Sequence, residues 1–425
     1  MKRIRLLTGL LLLAVLTASC GKKTSAPGSE GKSGKKDAEG VSNGKEEAFY
    51  SYKRSFVTED YALYHNNNGR LQIFDADSKS DIVYCFDAGC EHRQAKRDLI
   101  TNEIIQKGCI AYEISPDCVM LREDGMVFFQ DSGQVIQADR QGENRKVIAT
   151  VPFYKLGFRE VFYSADTLFI SYYTDNRFEE IKDVNGQSQW INTGELSETR
   201  ECGIYCVNLS DGTVKELFKA VTYNAIISNA DIWDGHLYFK YFYLDIPAIG
   251  PNLETYGRDV EIPEGLTAEN YWEEMPKHYW MDIYDYNITT GELRPILRNC
   301  REGTLEFCRG FFAVAETDGT TGLYRYSGER FRELPFRIGK GIRSDSGLVC
   351  CDEKAMDEYL LIDENTGEIL KRAKISSNSF LAGVIIGESV YGSLTIPGKG
   401  MGLSYISVED FWNGDITNAV AFQVW

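Results

Sequence analysis

From about residue 50 to the end of the chain, apolar and polar positions alternate with a period of two, in short runs rich in Tyr, Phe, Val and Ile and punctuated by Gly. This alternation predicts half-buried β-strands. Nowhere does the sequence hold the long 3.6-periodic segments that an α/β enzyme of this size requires. The strands recur in one phrase, an aromatic or aliphatic start, an Asp, Asn or Ser turn and often Gly. It is read at Leu71-Gln-Ile-Phe-Asp-Ala-Asp-Ser, Val135-Ile-Gln-Ala-Asp-Arg-Gln-Gly, Ile204-Tyr-Cys-Val-Asn-Leu-Ser-Asp-Gly and Ile283-Tyr-Asp-Tyr-Asn-Ile-Thr-Thr-Gly-Glu. It returns at Leu323-Tyr-Arg-Tyr-Ser-Gly and Tyr359-Leu-Leu-Ile-Asp-Glu-Asn-Thr-Gly-Glu, with a degenerate seventh at Leu403-Ser-Tyr-Ile-Ser-Val-Glu-Asp. A second hairpin signal precedes each phrase, as at Asp124-Gly-Met-Val-Phe-Phe, Asp234-Gly-His-Leu-Tyr-Phe and Arg309-Gly-Phe-Phe-Ala-Val. Two hairpins make a four-stranded antiparallel blade, and the later phrases recur about every 40 residues, the length of one blade. The expectation is all-β: a single β-propeller over residues 48–425, with seven blades, six and eight being the neighbouring counts, and insertions in the earlier blades.

The N-terminus breaks this pattern. Lys2, Arg3 and Arg5 precede an apolar run from Leu6 to Leu16, which closes in Thr17-Ala18-Ser19-Cys20. That is the plan of an export signal over residues 1–19, with an apolar run too short to remain as a membrane span. Small residues directly before a cysteine resemble the lipobox of bacterial lipoproteins, with Thr17 where Leu is usual. The resemblance implies cleavage before Cys20, lipidation of Cys20 and an exported chain anchored to the cell membrane or envelope. Residues 20–47, dominated by Gly, Ser, Lys and Glu, bury too little apolar surface to order and read as a tether. Its reach is roughly 30 Å for a flexible chain of this length.

The chain carries a net charge of −17, and the signal and tether contribute four positive charges to it, so the folded part stands near −21. Nucleic acid and anionic lipid would both be repelled, which leaves a glycan, a peptide or a protein as the expected ligand. In the later repeats, Asp-x-x-Thr-Gly-Glu is similar to the inter-strand turn of pyrroloquinoline-quinone-type propellers. The Trp of those repeats is missing, so no cofactor is implied.

Eleven cysteines are present, ten of them after Cys20. The densest group is Val83-Tyr-Cys85-Phe-Asp-Ala-Gly-Cys90-Glu-His92, followed after an insertion by Cys109-Ile-Ala-Tyr112. A Cys-x4-Cys-x-His followed by Cys-x-Ala-Tyr resembles an uncharacterised group of lipid-anchored propeller lipoproteins of anaerobic Gram-positive bacteria, a resemblance that transfers no activity. Chemically, Cys85, Cys90, His92 and Cys109 would complete a tetrahedral structural zinc site. A Cys85–Cys90 disulfide around a tight turn, or free thiols, ranks ahead of zinc, because exported chains meet oxidising conditions and His92 stands far from Cys109 for a zinc finger. On that ranking no cofactor is expected. Among the other cysteines, Cys202 and Cys206 share one strand face, Cys350 and Cys351 point oppositely, and Cys300 and Cys308 are spaced to face each other across a hairpin.

The segment from Tyr241 to Asp282 reads as an insertion combining aromatics with carboxylates. Tyr256, Tyr271, Trp272, Tyr279 and Trp280 are the candidate ligand-binding residues, since aromatic platforms flanked by acids suit sugar or peptide recognition. The alternative is that they pack the insertion against the domain. Thr174 to Arg200 reads as a second insertion. No catalytic residues can be assigned: no Gly-x-Ser-x-Gly, Walker loop or His-Glu-x-x-His occurs, and the four histidines fit no triad order. The leading expectation is therefore an extracytoplasmic binding or interaction module. Two rivals stand beside it: a surface glycoside hydrolase or lyase using a carboxylate pair at the propeller channel, and an envelope-assembly scaffold by fold analogy. Two carboxylates with perturbed surroundings in the channel would favour the enzyme.

Overall fold

The recurring phrase is the third strand of a four-stranded sheet together with the turn that follows it. The computed structural model describes residues 50–424, with internal exceptions of which the longest are 98–103, 113–118, 193–198 and 248–263. Cys20 and the tether lie outside the described residues. No helix among the described residues is long and apolar enough to cross a membrane. The first sheet runs β2 (Ser55–Val57), β3 (Tyr61–His65), β4 (Leu71–Asp75), β5 (Ser80–Val83), with β1 (Tyr50–Tyr52) paired to β2. A short hairpin of β6 (Lys96–Arg97) and β7 (Ile104–Gln106) leads to the second sheet, β8 (Val119–Leu121), β9 (Met126–Phe129), β10 (Gln134–Ala138) and β11 (Lys146–Thr150).

The third sheet is β12 (Leu156–Ser164), β13 (Thr167–Thr174), β16 (Arg200–Asn208) and the first half of β17 (Val214–Trp233). Between β13 and β16 stands the hairpin of β14 (Phe178–Lys182) and β15 (Ser188–Asn192), which occupies the second expected insertion. β17 changes partners at Thr222/Tyr223, pairing with β16 before that point and with β18 (His236–Leu244) after it. Its second half thus opens the fourth sheet, completed by β19 (Tyr279–Asn287) and β20 (Leu293–Arg301). The fifth is β21 (Leu305–Cys308) to β22 (Phe311–Ala315), β23 (Thr321–Arg325) and β24 (Arg330–Leu334). The sixth is β25 (Ile338–Ser344), β26 (Leu348–Asp352), β27 (Ala355–Ile362) and β28 (Ile369–Lys374). The seventh is β29 (Phe380–Ile386), β30 (Ser389–Ile396), β31 (Gly400–Ser407) and β32 (Val420–Val424).

The turns explain the repeat. After β19, Asn287 N–H donates to Glu292 O (2.9 Å), its Oδ1 accepts from Thr290 N (2.7 Å), and Gly291 takes the left-handed φ of +73° that a side chain would resist. After β27, Asp363, Thr366 and Gly367 repeat this arrangement, with φ +70° at the glycine. The seventh phrase is degenerate because a helix, Val408–Trp412, replaces the turn; Ser407 caps it by accepting from Asp410 N at 3.1 Å.

Successive sheets bury their faces against each other in a closed series, which makes the fold a seven-bladed β-propeller. Leu63 and Ile73 pack with Met126 and Phe128 between blades 1 and 2, and Val127 and Phe129 with Leu168 and Ile170 between 2 and 3. Phe169 and Ile204 meet Leu237 and Phe239 between 3 and 4; Met281 and Ile283 meet Phe307 and Phe312 between 4 and 5. Ala313 and Leu323 meet Leu348 and Cys350 between 5 and 6, while Val349 and Cys351 meet Ile385 and Val390 between 6 and 7. The adjacent Cys350 and Cys351 therefore serve opposite faces of one blade, as expected. Cys300 and Cys308 do not meet across a hairpin: they lie on strands of different sheets and pack into different cores.

The ring closes where Val57, Ala62, Tyr64 and Phe74 of blade 1 bury against Val384, Tyr391, Leu403 and Tyr405 of blade 7. Among the described residues no strand crosses this seam to join the other sheet. Instead Phe422 stacks on Phe74 at 4.4 Å, Tyr64 Oη donates to Phe422 O at 2.8 Å, and Ser389 Oγ donates to Glu59 O at 2.7 Å. The first strands of neighbouring blades approach one another, and those of blades 6 and 7, β25 and β29, pair in parallel at Arg343 and Val384.

Candidate functional site

Three places gather chemistry, and the tightest is the end of blade 1. Past β5 the chain turns at Asp87, whose Oδ1 accepts from Gly89 N at 2.9 Å and whose carbonyl accepts from Cys90 N at 3.1 Å. This turn folds Cys90 back toward Cys85. His92 then takes φ +49°, an unusual backbone for a residue with a side chain, while its N–H donates to Cys90 Sγ at 3.4 Å. The chain leaves through the β6–β7 hairpin and returns at Gly108, where a side chain would run into the backbone of Ala95. That close approach lets Cys109 N–H donate to Arg93 O at 2.8 Å and brings Cys109 Sγ to 3.5 Å from His92 Nδ1. The long separation between His92 and Cys109 is thus spanned by a hairpin whose two ends are held together. One donor atom from each of Cys85, Cys90, His92 and Cys109 lies within 4.8 Å of all the others. Cys85, Cys90 and Cys109 stand as unbridged thiols in this arrangement. Burial, reinforced by the neighbouring thiols, pushes the Cys109 thiol up to about 12.

The second place is the blade 4 insertion, narrower than the sequence reading made it. Tyr241, Tyr243, Tyr279 and Trp280 lie on paired strands β18 and β19, so only residues 245–278 depart from the sheet. Tyr256 lies outside the described residues. Tyr271 is 6% exposed and packs with Leu244, Leu266 and Met275, and Tyr279 packs against the same cluster. Trp280 is half-buried: its Nε1 donates to Asp245 Oδ2 at 2.8 Å and the Arg301 guanidinium lies 3.8 Å from its ring centre. His278 Nδ1 meets the other oxygen of Asp245 at 2.7 Å. Trp272 differs from these, being 74% exposed and supported edge-on by Tyr271 at 5.0 Å. Glu273 and Glu274 follow it on the short helix Tyr271–Glu274.

The third place sits on the first strands and was not singled out in the sequence. Asp231 on β17 follows an irregularity in pairing that begins at Ser228, with Asn229 at φ +46°. Asn229 Nδ2 donates to Leu305 O at 2.9 Å, tying blade 4 to blade 5. Glu306 on β21 lies over Gly341 of β25, where a side chain would collide with it. Arg343 and Lys340, also on β25, reach the backbone carbonyls of Ala230 and Ala382. Burial pushes the Glu306 carboxyl up to about 8, against the pull of Arg343 and with the Asp231 charge adding to the rise. Asp231 is raised too, again chiefly by burial.

No family model matches the chain, and no curated protein matches it in sequence. Solved structures match in outline only. A puromycin hydrolase complexed with PGG is 10% identical, covering 88% of this chain and 52% of the hydrolase, at a TM-score of 0.48. BamB from Moraxella catarrhalis is 12% identical, with 84% and 95% covered at 0.37, and Saccharomyces cerevisiae Sqt1 is 11% identical, with 83% and 80% covered at 0.40. The architecture rests on the seven sheets described above, and function has to be argued from this chain's own residues.

Proposed function

We propose that this chain is a lipid-tethered, extracytoplasmic β-propeller that binds a glycan, peptide or protein partner on the face built by its fourth blade. Trp272 carries the reading: it is the most exposed of the large hydrophobic side chains described, backed by Tyr271, which packs against Leu244 at the end of β18, and followed by two carboxylates. Exposed aromatics with fixed backing are the residues from which recognition hot spots are made. Since so little of Trp272 is buried, Trp272→Ala is expected to change stability by no more than about 0.5 kcal/mol. The same variant should weaken capture of a partner drawn from glycan and peptide arrays at least about tenfold. Equal capture by the variant overturns the assignment of this face.

The anchoring half of the reading is supported by the N-terminal residue pattern and is tested separately. Lipid attachment uses the Cys20 thiol, so the native chain should partition with membranes and Cys20→Ser should be uncleaved or released. Mass spectrometry of an unmodified mature N-terminus at any residue other than Cys20 removes the anchor. A second reading is favoured by one observation, the raised Glu306 carboxyl beside Asp231. A protonated carboxylic acid near neutral pH is what a glycoside hydrolase or lyase uses as its general acid. Both carboxyls are raised, however, whereas an acid and nucleophile pair requires environments that drive the two apart. The binding reading therefore stands first.

A further inference from the structure

We infer that Cys85, Cys90, His92 and Cys109 form a mononuclear structural zinc site that clamps the insertion between blades 1 and 2. A tetrahedral zinc ion with sulfur at about 2.3 Å and nitrogen at about 2.0 Å spaces its sulfurs roughly 3.8 Å apart. Donors already within 4.8 Å of each other need to contract by about an ångström at most to meet that geometry. The spacing suits one ion and is too tight for a multi-iron cluster. Three thiolates and an imidazole are a soft, tetrahedral set that selects zinc over oxygen-seeking cations, and with four protein donors no position is left for substrate water.

The local backbone is built to bring these donors together. The Asp87 turn, the left-handed His92 and the missing side chain at Gly108 each serve convergence and have no other evident role in the sheet. The His92 N–H bond to Cys90 Sγ is the backbone donation that a metal thiolate accepts to disperse its charge. Behind the donors, Cys109 and Ala111 are buried in the core shared by blades 1 and 2, with Cys85 and Cys90 packed against it. The ion would fix the exit of blade 1 and the approach to blade 2 at one point, closing the loop that holds β6 and β7. On binding, each thiol releases its proton to water as its sulfur bonds the metal, and His92 binds through an unprotonated ring nitrogen, so no electron transfer is involved.

The test is elemental analysis of the full chain purified in detergent without chelators, from cells supplied with zinc. About one zinc per chain is expected, falling below about 0.2 in His92→Ala and Cys90→Ser and kept in His92→Cys, which replaces one soft donor by another. Should the depleted variants fail to fold, replacing zinc by cobalt(II) in the unaltered chain gives a readout that needs no mutation: the intense visible bands of a tetrahedral cobalt thiolate are expected. Folded chain without zinc, a Cys85–Cys90 disulfide found by mass spectrometry, iron in place of zinc, or full zinc in His92→Ala would each overturn the site.

Discussion

Removal of residues 418–425 is expected to unfold the whole domain and not merely to fray its end. These residues supply β32, and with it Phe422, whose ring stacks on Phe74 and lies 5.0 Å from Tyr64 while its carbonyl takes the Tyr64 hydroxyl. Among the described residues no disulfide links blade 7 to blade 1, and the seam depends on this packing and on Ser389 bonding Glu59 O. Without β32, the pairing edge of β31 and one side of the blade 1 face are bared together. Deleting a packed phenylalanine ring alone costs about 3–5 kcal/mol when fully buried, and since Phe422 is half-buried, Phe422→Ala is expected to cost about 2–3 kcal/mol. The truncated chain should lose considerably more, melting at least about 10 °C lower in one transition if it folds at all. Unchanged melting of the truncated chain would show that the ring is not held closed by this contact.

The second large effect is a dependence of stability on pH set by Glu306. Its carboxyl is held near 8 in the folded chain against an ordinary value of 4.5, so between those limits the folded state keeps a proton that the unfolded state has lost. Stability should therefore fall as pH rises from about 4.5 to about 8 and level off above. Asp231 is raised as well and adds to the same slope, while Arg343, Lys340 and Arg309 nearby oppose it without reversing it. A shift of that size is worth several kcal/mol between pH 4.5 and pH 8. Glu306→Gln, which is nearly isosteric and cannot ionise, should be more stable than the parent at pH 8.5, equal to it at pH 4.5, and should fall less steeply between, keeping only the share due to Asp231. Parallel pH profiles for the two proteins would mean that Glu306 ionises freely. The same variant tests the enzyme reading, because loss of glycan cleavage together with a gain in stability is the signature of a general acid held at a structural cost.

The architecture was legible in the sequence because the repeated phrase is a local structure. Each copy is the third strand of its sheet, followed in most of them by a tight polar turn that fixes where the fourth begins, and all seven copies fall on seven blades, the degenerate one included. The extent of the blade 4 insertion was misread because Tyr241, Phe242 and Tyr243 look like loop aromatics until their partners Asp282, Met281 and Trp280 are known to lie across the ladder. Asp231 and Glu306 left no local signal, since a charge on an alternating strand reads as solvent-facing, and only closing the ring turns that face inward. Convergence of Cys109 with Cys85, Cys90 and His92 was obscured for a related reason. Its distance in sequence is cancelled by a hairpin whose approach depends on one missing side chain, at Gly108.

The seam between blades 7 and 1 also sets an order in time. A chain made from its N-terminus completes blade 1 first, yet the partner for Ala62, Tyr64 and Phe74 is the last sheet to be made. The earliest sheet is thus the last to have its outer face covered, and throughout synthesis that face is an apolar surface with no mate. Other chains at the same stage carry the same surface, so the period before Phe422 arrives is when this protein is most exposed to joining a neighbour's blade in place of its own.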